Sequence, residues 1–258
     1  MIKGLDLFRE HFVDFQDNYI MIGGTACTLA MDEFEIDFRA TKDLDVVLTI
    51  EAIDEKFTTA LWDFLRTGQY STYQKSSDKH IFYRFKDPQD DSYPDMIELF
   101  ARNPGFNLED HAEVTPITWK RIDDTEAKSL SAILLDDDYY HFIHDGKVII
   151  DGIPTIRALH LIPIKGYAWI DNMKRKQAGE DVDERNVRKH RSDIIRLSQL
   201  LTPEMSIELP GRLNSDTAEF LSVLEKSGVD PRQLGIKRSL NDVVNDLRAI
   251  YSIKSSGI

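Results

Sequence analysis

Two short polar motifs, each beside an aliphatic run, constrain this chain more than any other feature. The first is Gly23-Gly24-Thr25, which follows the apolar run Tyr19-Ile-Met-Ile22. The second is Asp43-Leu-Asp45, which opens the aliphatic run Val46-Val-Leu48. Both aliphatic runs are typical of strands. Because alternate residues of a strand project from the same face, the two carboxylates are expected to leave the sheet together.

The residue types in these motifs suit phosphate and metal chemistry. Glycine lets the backbone approach a triphosphate, since it has no Cβ in the way. Paired carboxylates supply the oxygen ligands that Mg²⁺ takes. The two motifs therefore predict a triphosphate site at the glycine pair and a metal site at Asp43 and Asp45.

The N-terminal half alternates between helical and strand patterns. The predicted order is helix, strand, helix, strand, helix and then three strands, which gives a mixed sheet with helices packed on it. The predicted helices lie at 5–15, 25–33 and 54–66, and the predicted strands at 19–22, 43–50, 70–73, 80–85 and 96–101.

Helical patterns dominate the second half. A hairpin is predicted over 139–150, around the turn Asp145-Gly146. Beyond it, a helical stretch at 156–177 is expected to break near Pro163 and Gly166. Further helices are predicted at 183–201, from Thr202-Pro203, at 215–227 and at 239–251. The sequence therefore predicts an α+β fold, with a mixed-sheet domain over 1–153 and an all-helical domain over 154–258.

Composition narrows the class of protein. The formal net charge of −13 argues against a protein that coats nucleic acid, because non-specific binding depends on neutralising phosphates. A basic segment nevertheless runs from Lys174 to Arg196. Cys27 is the single cysteine, which excludes internal disulfides. No apolar run approaches the roughly 20 residues of a membrane span. We expect a soluble cytoplasmic protein without a membrane partner.

The spacing of these motifs resembles that of nucleotidyltransferases of the DNA polymerase β-like superfamily. It is most similar to the abortive-infection toxin type (AbiEii-like), in which Gly-Gly-Thr precedes Arg-x-Thr-x-Asp-Leu-Asp. Here the second pattern runs from Arg39 through Thr41 to Asp45. The resemblance implies a nucleotidyltransferase-like sheet. It also implies that Gly23, Gly24, Thr25 and Thr41 bind the nucleotide and that Asp43 and Asp45 hold metal. The stretch between the motifs, residues 31–40, is longer than in that family.

A third carboxylate is expected on a neighbouring strand, because a site for two Mg²⁺ ions needs one. Glu98 lies inside the aliphatic run Met96 to Ala101, where an isolated acid is costly unless it meets a metal or a cation. Asp95 is the alternative, three residues earlier. The structural interpretation of Glu98 is a buried ion pair with Arg84.

Two residues of the helical half match later motifs of the same family. Lys165 follows a wholly apolar run, and Asp193 lies in the context Lys189-His-Arg-Ser-Asp193-Ile. The resemblance implies that Lys165 contacts the phosphates. Asp193 could orient Lys165, accept a proton from the attacking hydroxyl, or pair with Lys189 one turn earlier. The structural interpretation of Lys165 is a lysine that reaches out of a helical core.

These observations predict an enzyme that moves a nucleoside monophosphate from an NTP to an acceptor hydroxyl. Two Mg²⁺ ions, held by Asp43, Asp45 and Glu98, would assist the transfer. The resemblance suggests an RNA acceptor such as a tRNA end, and a toxin role with a separate antitoxin protein. A small cationic acceptor such as an aminoglycoside fits the acidic charge. A non-catalytic nucleotide-binding relative is the third hypothesis.

Overall fold

The computed structural model describes residues 2–52, 54–70, 72–75, 81–101, 120–121 and 136–253. The chain forms two compact units, Met1–Arg157 and Ala158–Ile258. The predicted boundary after residue 153 falls inside the strand Ile153–Ile156, which belongs to the first unit. The fold is α+β, as predicted, with a mixed sheet in the N-terminal half and mostly helices after it.

The first eight elements, from α1 to β5, follow the predicted order of helices and strands. Among the described residues, the helices of the first unit are α1 (Leu5–His11), α2 (Gly23–Asp32), α3 (Glu55–Thr67) and α4 (Asp137–Asp145), and its strands are β1 (Tyr19–Ile22), β2 (Asp43–Leu48), β3 (Thr72–Lys75), β4 (Ile81–Lys86), β5 (Met96–Ala101), β6 (Lys120–Arg121), β7 (Lys147–Ile150) and β8 (Ile153–Ile156). Residues 71 and 80, which the prediction included in two strands, lie outside the described residues.

Within the described part of the chain, the main sheet has six strands in the order β1-β2-β5-β4-β3-β6. Strand β2 runs antiparallel to β1 and parallel to β5, and β5 runs antiparallel to β4. The register places Asp45 opposite Glu98, and Glu98 opposite Arg84. Directly paired residues project from the same face of a sheet. The middle of the sheet therefore directs these three charged side chains to one face.

Aromatic side chains form much of the core of the first unit. Phe8 on α1 and Phe12, which directly follows this helix, contact each other with ring centroids 4.4 Å apart, and Phe8 meets both Tyr19 and Phe64 edge to face. The helical spacing of Phe8 and Phe12 places them on one side of α1, against β1 and α3. This packing anchors β1, whose end leads directly into Gly23.

The predicted hairpin over 139–150 is wrong. Residues Asp137–Asp145 form a helix, and the side chain of Asp136 caps it by accepting from the amide of Asp138. The apolar residues Tyr139, Tyr140, Phe142 and Ile143 fit helical spacing and are all buried. The hairpin lies one strand later, where β7 pairs with β8. Its turn is Asp151-Gly152, and both residues have positive φ, as a tight hairpin turn requires.

In the second unit the described elements are helices, principally α5 (Ala158–Gln177), α6 (Glu184–Leu197), α7 (Gly211–Glu225) and α8 (Leu240–Ile250). The expected break in α5 is wrong, because the helix continues through Pro163. Gly166 of α5 lets α7 approach, since a Cβ there would lie 2.2 Å from the Phe220 ring. The predicted helix start at Thr202-Pro203 is also wrong, as the next α-helix begins at Gly211. Within the described ranges, no helix has both the length and the apolar composition that crossing a bilayer requires.

Candidate functional site

The end of β1 and the start of α2 form one wall of the candidate site. Gly23 has a φ of +65°, a conformation that residues with a Cβ rarely adopt. A Cβ at Gly23 would lie 1.7 Å from Oδ2 of Asp45. The backbone of the first motif is therefore in direct contact with the carboxylate of the second, and only glycine permits that approach.

Gly24 brings the intervening segment to the same place. A Cβ at Gly24 would lie 2.7 Å from Oγ1 of Thr41 and 3.4 Å from Nη2 of Arg39. The Arg39 guanidinium also lies over the ring of Phe38, 5.3 Å from its centroid. The structure thus brings both glycines, Thr41 and Asp45 together, and it adds Arg39.

Four polar side chains at this place keep part of their surface exposed to solvent. Arg39, Thr41, Asp43 and Asp45 are each partly exposed. The N-terminus of α2, where backbone N–H groups lack helical partners, carries a partial positive charge beside them. A positively charged guanidinium, a helix N-terminus and two carboxylates in such proximity can hold an anion together with a cation.

Thr25 contributes to this site by bonding to the backbone of Asp43. Its side chain is fully buried, and its hydroxyl donates a hydrogen bond to the carbonyl oxygen of Asp43 at 2.9 Å. This bond ties the first turn of α2 to the start of β2, so it holds the two motifs in register. The predicted contact between Thr25 and phosphate stays a prediction.

Glu98 is buried beside Asp45, on the neighbouring strand β5, where it forms an ion pair with Arg84. Arg84 Nε donates to Glu98 Oε1 at 2.5 Å, and Arg84 Nη2 contacts the same oxygen. Burial raises the pKa of Glu98 well above its usual range, the nearby Asp45 charge and a hydrogen bond with Asp45 raise it further, and Arg84 opposes the shift. The ion pair with Arg84 that the sequence offered as an alternative is therefore present.

The other candidate for the third carboxylate, Asp95, has different partners. Lys3 Nζ donates to Asp95 Oδ1 at 2.6 Å, and Lys42 Nζ lies 3.7 Å from Oδ2. The lysines lower the pKa of Asp95. Of the two acids, only Glu98 is in the register that places it beside Asp45.

Carboxylates that could hold a metal ion lie at the start of β2. Among the described residues, no group of three or more His, Cys, Asp or Glu side chains is arranged to hold a metal ion. Asp43 and Asp45 still fit Mg²⁺, because this ion commonly uses one or two carboxylates and takes its remaining ligands from water and substrate phosphates. The predicted site for two ions with Glu98 as a third ligand stays a prediction.

The second unit contains the remaining two predicted residues, and it brings them together. Lys165 on α5 and Asp193 on α6 form an ion pair with 3.1 Å between Nζ and Oδ2. Their side chains are 5% and 0% exposed. Of the roles considered for Asp193, orientation of Lys165 therefore has a direct contact to support it. The predicted contact of Lys165 with phosphates stays a prediction.

Sequence reasoning assigned no role to Arg39, although it lies in the quoted Arg-x-Thr pattern. Its place beside Gly24 depends on the path of residues 33–42, which no local pattern determines. Arg84 entered the prediction only as a partner for Glu98. Its position as the one charged residue in the run Ile81 to Phe85 indicates a residue that needs a buried counter-charge.

No protein-family model matches this chain, and a search of curated proteins finds no match. The resemblance to nucleotidyltransferases therefore depends on the motifs alone.

Proposed function

We propose that the first unit binds an NTP at the Gly23-Gly24 turn and transfers its nucleoside monophosphate to an acceptor hydroxyl. The observation that carries this proposal is the contact between the Gly23 backbone and the Asp45 carboxylate, with Arg39 and Thr41 beside Gly24. Backbone N–H groups and guanidiniums bind phosphates, whereas carboxylates bind the metal ion that accompanies them. Both sets of groups meet here.

The phosphates would lie at the N-terminus of α2. The glycines leave the backbone open to them, and Arg39 supplies a planar guanidinium suited to bidentate binding of phosphate. Asp43 and Asp45 would hold Mg²⁺, which when bound supplies charge neutralisation at the phosphates. Glu98 is buried and bonded to Arg84, and its hydrogen bond with Asp45 would hold that carboxylate in position.

The proposed reaction is an in-line displacement at the α-phosphorus. The acceptor oxygen forms a bond to this phosphorus, the bond to the bridging oxygen of the β-phosphate breaks, and pyrophosphate leaves. The hydroxyl proton passes to a carboxylate or to solvent. A preorganised arrangement of this type acts mainly by stabilising charge that develops at the transferred phosphorus.

The nature of the acceptor separates two forms of this proposal. RNA is the acceptor that the motif resemblance suggests, and a toxin role with an antitoxin partner belongs to the same suggestion. An aminoglycoside or another small cation is favoured by the net charge of −13. A nucleotide-binding protein without transfer activity is the third hypothesis, since the third carboxylate is a glutamate bonded to Arg84 and the stretch 31–40 between the motifs is long.

The testing experiment incubates the protein with Mg²⁺ and each α-³²P-labelled NTP in turn, with total cellular RNA or an aminoglycoside mixture as acceptor. We expect label in one acceptor, and Asp45→Asn should lower the transfer rate by about 100-fold or more, because it removes a carboxylate that would hold Mg²⁺ at the phosphates.

Asp95→Asn is the matched control, because it neutralises a nearby aspartate that the structure bonds to Lys3 instead. It should retain most of the activity. Equal activity of the wild type and Asp45→Asn would contradict the proposal. NTP binding without transfer to either acceptor would support the non-catalytic alternative.

A further inference from the structure

Four cations of the basic segment, residues 174–196, form ion pairs within the second unit. Lys174 pairs with Glu219 at 2.7 Å and Arg175 with Asp171 at 2.7 Å. Two further ion pairs lie around the start of α6, between Lys176 and Glu184 at 3.7 Å and between Arg185 and Asp183 at 2.7 Å. These cations are therefore largely occupied by acids of the same unit.

Two arginines of α6 differ from these cations. Arg188 and Arg191 are three residues apart, so they are neighbours on one face of the helix. Among the described residues, neither forms an ion pair with a carboxylate within 4.0 Å. Asp183 is the acid whose pKa Arg188 affects, and Arg185 already binds that carboxylate with both its side chain and its backbone amide.

Arg191 has an unsatisfied donor in addition. Its Nε is buried and has no hydrogen-bond partner within the described part of the chain. Burial lowers the pKa of Arg191, and the positive charge of Arg188 lowers it further. A half-buried guanidinium beside a second one is costly without an anion, because the donors are desolvated and the like charges repel.

We propose that Arg188 and Arg191 together bind a phosphate group, and that this phosphate belongs to the backbone of an RNA acceptor. Two guanidiniums offer paired N–H donors that match the oxygens of one phosphate. Because a net charge of −13 repels nucleic acid at long range, binding of RNA would require a local cationic site such as this one. The identity of the RNA as acceptor rests on the proposed function, whereas the phosphate site does not.

The test measures binding of a fluorescein-labelled RNA by anisotropy, without NTP, over a series of KCl concentrations. The variant Arg188→Ala/Arg191→Ala should bind about tenfold more weakly, and the slope of log affinity against log salt should decrease by about one. Arg185→Ala removes an exposed arginine of the same helix whose charge Asp183 already neutralises. It should change the affinity by less than about twofold.

Arg191→Lys guards against a folding effect, since it keeps the charge but loses the planar donors. It should unfold like the wild type and still bind RNA more weakly. Unchanged affinity and salt slope in the double variant would overturn the proposal. If only inorganic phosphate stabilises the wild type against heat and RNA does not bind, the site takes free phosphate and the RNA assignment is overturned.

This assay is independent of the proposed transfer reaction. Asp45→Asn should bind RNA as the wild type does, because the substitution lies in the first unit. Intact, arginine-dependent RNA binding together with no transfer of label would contradict the proposed function and support the phosphate site.

Discussion

Gly23 illustrates how one residue determines the candidate site. Its positive φ lets the chain turn from β1 directly into α2, and its missing side chain leaves room for the Asp45 carboxylate. Thr25 then fastens the same turn to Asp43. The site is therefore built by contacts between the backbone of one motif and a side chain of the other, so a change in the turn would displace both motifs.

Gly23→Ala should lower the free energy of unfolding by about 2–4 kcal/mol, because it adds a Cβ where Asp45 lies and strains the backbone. Gly228→Ala is a matched control, since Gly228 also has a φ of +65° but has nothing within 4 Å of the added Cβ. It should cost about 1–2 kcal/mol. Urea unfolding of the two variants measures the difference. Equal losses in the free energy of unfolding would show that the contact with Asp45 adds nothing to the cost of the positive φ.

Among the strands and helices, which elements are neighbours determines which polar residues meet. Glu98 meets Asp45 because β5 lies parallel to β2 in one register, and it meets Arg84 because β4 lies antiparallel to β5. Lys165 meets Asp193 through the packing of α5 against α6. A slip of one residue in the sheet would turn Glu98 to the opposite face.

Asp193→Ala should destabilise the second unit by about 3–5 kcal/mol, because it leaves the Lys165 ammonium buried without its counter-charge. The double variant Lys165→Met/Asp193→Leu should recover most of this loss, since it replaces both charges with apolar groups of similar size. Hydrogen exchange of the amides in α5 and α6 measures the effect unit by unit. A double variant as unstable as the single one would contradict the coupling. A stable but inactive double variant would add a catalytic role to the pair.

At the scale of the whole molecule, the pH dependence of stability has an identifiable source in the first unit. His144 on α4 is half-buried, and its Nε2 is buried without a hydrogen-bond partner among the described residues. Burial lowers the pKa of His144 below its ordinary value of 6.5, although the nearby Glu51 opposes the shift. Lys147 and His141 also lower this pKa, whereas Asp145 raises it.

Because the lowered pKa keeps His144 neutral in the folded state, the unfolded chain binds more protons below its own pKa. The free energy of unfolding should therefore decrease as the pH falls through about 6.5. We expect His144→Gln to reduce the loss of stability between about pH 7.5 and about pH 5.5, as measured by urea unfolding. Equal pH dependence in wild type and His144→Gln would contradict this source.

Local patterns predicted the α+β class, the order of the first eight elements and the placing of Asp43 and Asp45 on one face. They failed at Asp137–Asp145, because Tyr139, Tyr140, Phe142 and Ile143 form a short apolar run that suits a strand as well as a helix. The side chain of Asp136 caps the first turn and so stabilises the helix. Pro163 also misled, since a proline inside a buried helix can be tolerated when packing stabilises the rest of that helix.

The sequence by itself determined which residues could meet a phosphate or a metal, because glycine conformation and the two-residue period of a strand are local properties. Tertiary structure alone decided which of them meet. It joined Gly23 to Asp45, placed Arg39 beside Gly24, gave Glu98 to Arg84 and paired Lys165 with Asp193. These contacts join residues distant in the chain, and their register depends on the packing of whole strands and helices, which no local pattern encodes.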